Sequence, residues 1–159
     1  MPLWLIFHPD GTFEDDESKE LLSRDITKLY TEVVGLPAFY VVVNFIKMIG
    51  NTMWVGGKKV TSDQPFIRIA IDHIAVTLPN EDEVYARTAN RIDALLKPHV
   101  ADKGYNWEIH IDETERRLWR INGMAPPPFR SEEEKVWVNE NRAIPWQKDT
   151  KEQAATGRI

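Results

Sequence analysis

The residue whose type and place could do the most chemistry is Pro2, directly behind the initiator methionine. Removal of a methionine that precedes so small a residue would expose a secondary amine. An α-amino group titrates at about 8 in model peptides, and burial or nearby cations lower that value because both disfavour the charged form. A neutral amine at physiological pH can take a proton from carbon or attack a carbonyl. Pro2 also has a plain structural reading, as the opening residue of a strand. Arg68 is a candidate for holding an anion, or else a structural partner of Asp72 on the same strand face. His110-x-Asp112 sets two metal-ligand types on one strand face, but no third ligand stands in register, so no metal is expected. There is no cysteine, which excludes disulfides, thiolate nucleophiles and cysteine–zinc sites.

Composition narrows the partners. The 159 residues carry a net charge of −5, with 42% hydrophobic and 28% charged residues. That is an ordinary globular composition with room for one domain. An acidic chain whose densest basic clusters are the pairs Lys58–Lys59 and Arg116–Arg117 is not built to bind nucleic acid or a membrane surface. The apolar opening lacks a basic leader and meets His8-Pro9-Asp10 after seven residues, too soon for a signal peptide or a membrane span. A cytoplasmic protein is the expectation.

The elements that must position Pro2 emerge from periodicity. Pro2 to Phe7 reads as a short buried strand, and His8-Pro9-Asp10-Gly11 as a turn. Acidic residues Glu14 to Glu17 lead into a helix whose apolar spacing runs through Leu21, Leu22, Ile26, Leu29, Tyr30 and Val33, stopped by Gly35 and Pro37. Ala38 to Met48 reads as a strand, and residues 50–60 as a hairpin. A second unit repeats the first: a strand from Phe66 to Val76, a helix from Glu81 to Leu96, and a strand from Trp107 to Asp112. Two β-α-β units predict an α/β (α+β) fold, with both helices on one face of a four-stranded sheet. The opposite face keeps apolar residues, so self-association is expected. Beyond this core of 2–112, an extension over 113–146 should hold a short helix from Glu113 to Asn122 with Leu118 and Trp119 facing in. An extended Pro126–Pro128 run comes next, then a helix opened by a capping box at Ser131-Glu-Glu-Glu134. Residues 147–159 read as a disordered tail.

Several segments together resemble one family. They are Pro2-Leu-Trp-Leu-Ile, Ile26-Thr-Lys-Leu-Tyr30, Gly35-Leu-Pro-Ala-Phe-Tyr40, Trp54-Val-Gly-Gly57 and Ile71-Asp-His-Ile-Ala75. Further along come Trp107-Glu-Ile-His-Ile-Asp-Glu113, Leu118-Trp-Arg-Ile-Asn-Gly123 and Pro126–Pro128. The ordered set, over residues 2–146, resembles the cis-3-chloroacrylic acid dehalogenase-like and fungal oxalocrotonate tautomerase-like branch of the tautomerase superfamily. The resemblance implies a homotrimer of β-α-β-β-α-β subunits, a catalytic Pro2 and no cofactor. Tyr30 falls where the dehalogenase has a histidine that helps bind substrate. His73 and Val76 fall at its two carboxylate-binding arginines, and Ile121, beside Asn122, near its water-activating glutamate.

The leading expectation is therefore a tautomerase acting on a small carbonyl carboxylic acid, with Pro2 as general base. Arg68 or His73 would hold the carboxylate, Tyr30 or Asn122 would donate to the developing enolate oxygen, and Trp119 would form an aromatic wall. Each of these has a plainer reading: His73, Tyr30 and Trp119 as core, and Asn122 with Gly123 as a turn. Two other functions stay open. One is a hydratase, dehalogenase or decarboxylase of 3-substituted acrylates using the same proline, which the missing arginine and glutamate disfavour. The other is a non-catalytic trimeric binding or scaffold protein.

Overall fold

The computed structural model describes residues 1–50 and 52–146; the tail expected over 147–159 lies outside them. Its main sheet is built from four strands: β1 (Pro2–Pro9), β2 (Val42–Met48), β5 (Phe66–His73) and β6 (Asn106–Glu113). A small hairpin of β3 (Trp54–Val55) and β4 (Lys58–Lys59) stands between the halves. The strands of the main sheet lie in the order β2-β1-β5-β6. β1 runs parallel to β2, β5 runs parallel to β6, and the two pairs meet antiparallel at β1–β5. The two β-α-β units are thus real, and the seam between them places Pro2 opposite His73.

β1 is central, which explains why it is apolar throughout instead of alternating. Pro2, Trp4 and Ile6 are buried on one face, while Leu3, Leu5 and Phe7 are only partly covered on the other. On the buried face Trp4, Ile6, Ile67, Ile69 and Ile71 pack with Leu22 and Ile26 of α1 (Asp16–Lys28) and with Ile92 and Leu96 of α2 (Asp82–Leu96). The other face is divided. Leu3, Leu5, Phe7, Val42 and Ile46 make an apolar half, and Arg68, Asp72, Glu108, His110 and Asp112 make a charged one.

Asp15 caps α1, its carboxylate accepting from the Ser18 amide at 2.6 Å. The helix does not simply continue to Gly35. Leu29–Val34 winds as a π turn, ended by Gly35 in the left-handed conformation (φ +82°) that glycine adopts freely. The wider turn changes the facing of its last residues. Val33, expected on the apolar stripe, is 48% exposed, and Val34 turns inward in its place. A second departure lies at Ala38–Tyr40, read as strand from its aromatic content but folded as a 3₁₀ turn. The turn lets Tyr40 enter the core beside Trp119 and Trp137, with its neighbour's amide, Phe39 N–H, held by Asn141 Oδ1 at 2.9 Å. β5 ends at His73 and not at Val76.

In the extension, residues 116–118 form only a 3₁₀ turn. Three residues cannot turn two side chains inward, so Trp119 is buried while Leu118 stands 79% exposed, against the expectation that both face in. Ile121 to Met124 closes a two-residue turn with Asn122 at φ +50° and Gly123 at φ +79°, joined by reciprocal backbone hydrogen bonds of 2.9 Å. α3 (Glu132–Glu140) is capped by Ser131, whose hydroxyl accepts from the Glu134 amide at 3.1 Å. The expected capping box is only half formed, because the Glu134 carboxylate does not return to Ser131. It is used elsewhere.

Candidate active site

Pro2 is buried at the head of β1 and lines a cavity of about 140 Å³. The cavity lies between the π turn, the chain leaving β5 and α2, with Leu29, Tyr30, Val34, His73, Val76 and Arg91 among its walls. Three side chains beside it form a directed chain of hydrogen bonds. Trp4 Nε1–H donates to the Tyr30 hydroxyl oxygen at 3.1 Å, and that oxygen lies 2.8 Å from His73 Nε2. An indole nitrogen can only donate, so the tyrosine proton is free to point at His73. In the tautomer that completes this chain, His73 Nε2 carries the lone pair and Nδ1 the proton. The ring is neutral, which agrees with its pKa: burial, reinforced by the amino-terminal charge, lowers it to about 4. Burial pushes the Tyr30 phenol well above its ordinary value, so it too stays neutral.

A histidine held neutral in the fold but free to protonate when unfolded binds fewer protons native than unfolded between about pH 4 and 6.5. Stability from this group is complete above pH 6.5 and falls as the pH drops towards 4, by up to about 3 kcal/mol. His8, also lowered by burial, adds a decline of the same sign. The melting temperature of a His73→Gln variant should accordingly fall less steeply from pH 7 to 4 than that of the parent; parallel slopes would refute the assignment.

With Met1 attached, the Pro2 nitrogen is an amide and has no basicity. The Met1 carbonyl accepts from Ile74 N–H at 3.2 Å. Its amine is driven down to about 4, first by burial, then by the Arg116 charge, with Glu134 acting in the opposite sense. Those last two residues belong to the extension. Arg116 donates to the carbonyls of Ala75 and Pro127 and pairs with Glu134 at 2.9 Å. Glu134, 2% exposed, spends its second oxygen on the Arg130 amide at 2.6 Å. The Arg116 guanidinium also lies 5.5 Å from the centre of the Trp119 ring. The Tyr40 hydroxyl, in the same core, is buried with no partner at hydrogen-bond geometry among the described residues.

The sequence matches the family described as "Putative oxalocrotonate tautomerase enzyme" over residues 1–142. The chain belongs to the tautomerase superfamily. Among solved structures it is similar to RhCC from Rhodococcus jostii RHA1, with 46% identity and a TM-score of 0.84 over 91% of this chain and 99% of that one. It is likewise similar to AU4130/APC7354 from the thermophilic fungus Aspergillus fumigatus, with 44% identity and a TM-score of 0.82 over 92% and 98% of the two chains. N1, a member of the cis-3-chloroacrylic acid dehalogenase family, shares the fold at 13% identity and a TM-score of 0.64, over 97% of this chain and 99% of its own. No curated protein gives a significant match. Tautomerase superfamily members are generally enzymes.

Of the residues that the tautomerase resemblance and the sequence pointed to, three come together: Pro2, Tyr30 and His73 share one cavity. Three stand apart from it. Arg68 lies on the other face of the sheet and pairs with Glu108 (2.5 Å) and His110 Nδ1 (2.9 Å). The expected Arg68–Asp72 pair does not form, because residues four apart on an extended strand are separated by about 13 Å, whereas adjacent strands run about 4.8 Å apart. Asn122 is exposed in its turn, and Trp119 packs edge-on against Tyr40 at 4.7 Å. His110 and Asp112 approach within 3.3 Å, and among the described residues no group of three or more acidic or histidine side chains could hold a metal. No helix among them is long and apolar enough to cross a membrane. Sequence reasoning missed Arg91, which lines the cavity from α2, and the Arg116–Glu134 pair. For Arg91 a faint signal existed: Thr88, Arg91 and Leu95 keep helical spacing along the edge of the apolar stripe.

Proposed function

We propose that the protein is a cofactor-independent keto–enol tautomerase of small carbonyl carboxylic acids, working with the nitrogen of Pro2 after Met1 is removed. The observation that carries this reading is the shared cavity: a buried strand-opening proline beside the hydrogen-bonded Tyr30–His73 pair. In the reaction the neutral Pro2 nitrogen takes a proton from the carbon next to the substrate carbonyl. The C–H electron pair becomes the new C=C bond, the carbonyl pair moves onto oxygen, and the proton now held by Pro2 passes to that oxygen, giving the enol and the neutral amine again; ketonisation is the reverse. Charge developing on that oxygen needs preorganised donors. His73 Nδ1–H makes no hydrogen bond among the described residues, and Ile74 N–H loses its acceptor when Met1 leaves. Burial and the Arg116 charge, which depress the amine of the unprocessed chain, would act on the Pro2 amine in the same direction.

The divided open face of the sheet supports a homotrimer, testable by light scattering for three chain masses in solution.

Intact mass, then a covalent trap with a propiolate-type acid and peptide mapping, tests the mechanism. The expected result is loss of one methionine and a single label on Pro2. A retained Met1, or a label confined to another residue, would remove the enzymatic reading and leave the trimeric binding protein in its place. The profile of kcat/KM for phenylenolpyruvate should rise with pH through an apparent pKa below 8.

A further inference from the structure

We infer that the Pro2 cavity takes a monoanionic carbonyl acid with an apolar body, and that Arg91 of α2 binds its carboxylate. This rests on the tautomerase reading above but is tested separately from it. Arg91 lines the cavity itself, and two other arginines near this part of the fold are spent. Arg68 is on the far face of the sheet, paired with Glu108 and His110. Arg116 has its guanidinium committed to the Ala75 and Pro127 carbonyls and to the buried Glu134 carboxylate. Arg91 forms no ion pair among the described residues, is exposed, and yet lines the cavity. It is a cation at the rim of a hollow whose remaining walls are mostly aliphatic.

Those walls decide what the rest of the ligand must be. Leu29, Val34, Leu36, Val76, Leu78 and Ile92 offer no hydrogen bond to a second carboxylate, and burying an unpaired charge against them is strongly unfavourable. The polar groups are Thr88, one turn before Arg91, the Tyr30–His73 pair beside Pro2, and the Ile74 amide that Met1 removal frees at the same end. The volume of about 140 Å³ suits a ring-sized apolar group, since an engineered apolar cavity of about 150 Å³ holds benzene. A carboxylate held at Arg91 leaves the aliphatic walls to take an apolar substituent, as in an aryl- or alkyl-substituted keto acid. An extended dicarboxylate such as 2-hydroxymuconate does not fit this distribution.

Calorimetric titration of the mature protein with trans-cinnamate, cinnamyl alcohol and muconate reads the preference without turnover. Cinnamate should bind at least tenfold more tightly than either of the others, and less tightly at high salt. Arg91→Ala should abolish the preference for cinnamate over the alcohol, and Arg91→Lys should restore part of it. For phenylenolpyruvate, Arg91→Ala should raise KM roughly tenfold with kcat nearly unchanged, the pattern of a lost binding contact. Equal affinity for muconate, or unchanged cinnamate affinity in Arg91→Ala, would overturn the inference. If Pro2 proves unreactive while the Arg91 dependence of binding holds, the catalytic reading fails and this one survives.

Discussion

Replacing Pro2 by alanine is expected to lower kcat/KM for phenylenolpyruvate ketonisation by roughly 10²–10⁴-fold, the usual contribution of a positioned proton-transfer group. The variant is a clean one. Alanine is also small enough for methionine removal, and it keeps an α-amine. What it loses is the ring that makes the nitrogen secondary and restricts its rotation. A complementary protein leaves every side chain in place and carries a non-cleavable amino-terminal extension. Its Pro2 nitrogen remains an amide, as it is with Met1 attached, and its activity should fall at least as far. Retention of more than about a tenth of the parent rate by either protein would end the Pro2 mechanism. Steady-state assays beside melting curves separate loss of chemistry from loss of fold.

The second large effect concerns stability. Glu134→Gln should cost about 3–5 kcal/mol, because it leaves the Arg116 charge half-buried without its counterion. In a domain of this size that corresponds to a melting temperature lower by roughly 10 °C. Arg116→Met alone should be comparable, stranding a carboxylate that is 2% exposed. The double replacement Arg116→Met with Glu134→Leu should be less damaging than either single change, since no uncompensated charge remains. Additive losses would show that the two residues act independently. Because Arg116 also holds the Ala75 carbonyl, next to the Ile74 amide that binds Met1, these variants should disturb the geometry at Pro2 as well.

How much of this was legible in the sequence depends on whether the deciding contact is local. The β-α-β repeat was readable because strand and helix periodicities are properties of neighbouring residues, and Ile67, Ile69 and Ile71 alternate in the chain as they do in the sheet. Tyr30 and His73 were found through the family resemblance, and their 2.8 Å contact joins residues 43 apart. Ala38–Tyr40 was misread for a similar reason. Its β-forming side chains are drawn into a turn by Trp119, Trp137 and Asn141, all far along the chain in the extension. Glu134 looked like one of three equivalent glutamates at a helix start, and only the distant Arg116 singles it out. Arg91 escaped because an arginine beside an apolar stripe looks the same whether it faces solvent or a cavity. Leu118 and Val33 failed because 3₁₀ and π windings break the 3.6-residue count on which their burial was predicted.

The π winding after α1 bears on how this cavity could change shape. A single-residue deletion within 29–34 would let the helix close with ordinary i to i−4 bonds, at a gain in backbone regularity. The wider turn absorbs one extra residue, so the chain beyond the deletion would keep its facing, and only the wall between Leu29 and Val34 would lose a side chain. One codon therefore separates two differently lined chambers on the same sheet, and the irregular turn is where that wall can change without touching the proline.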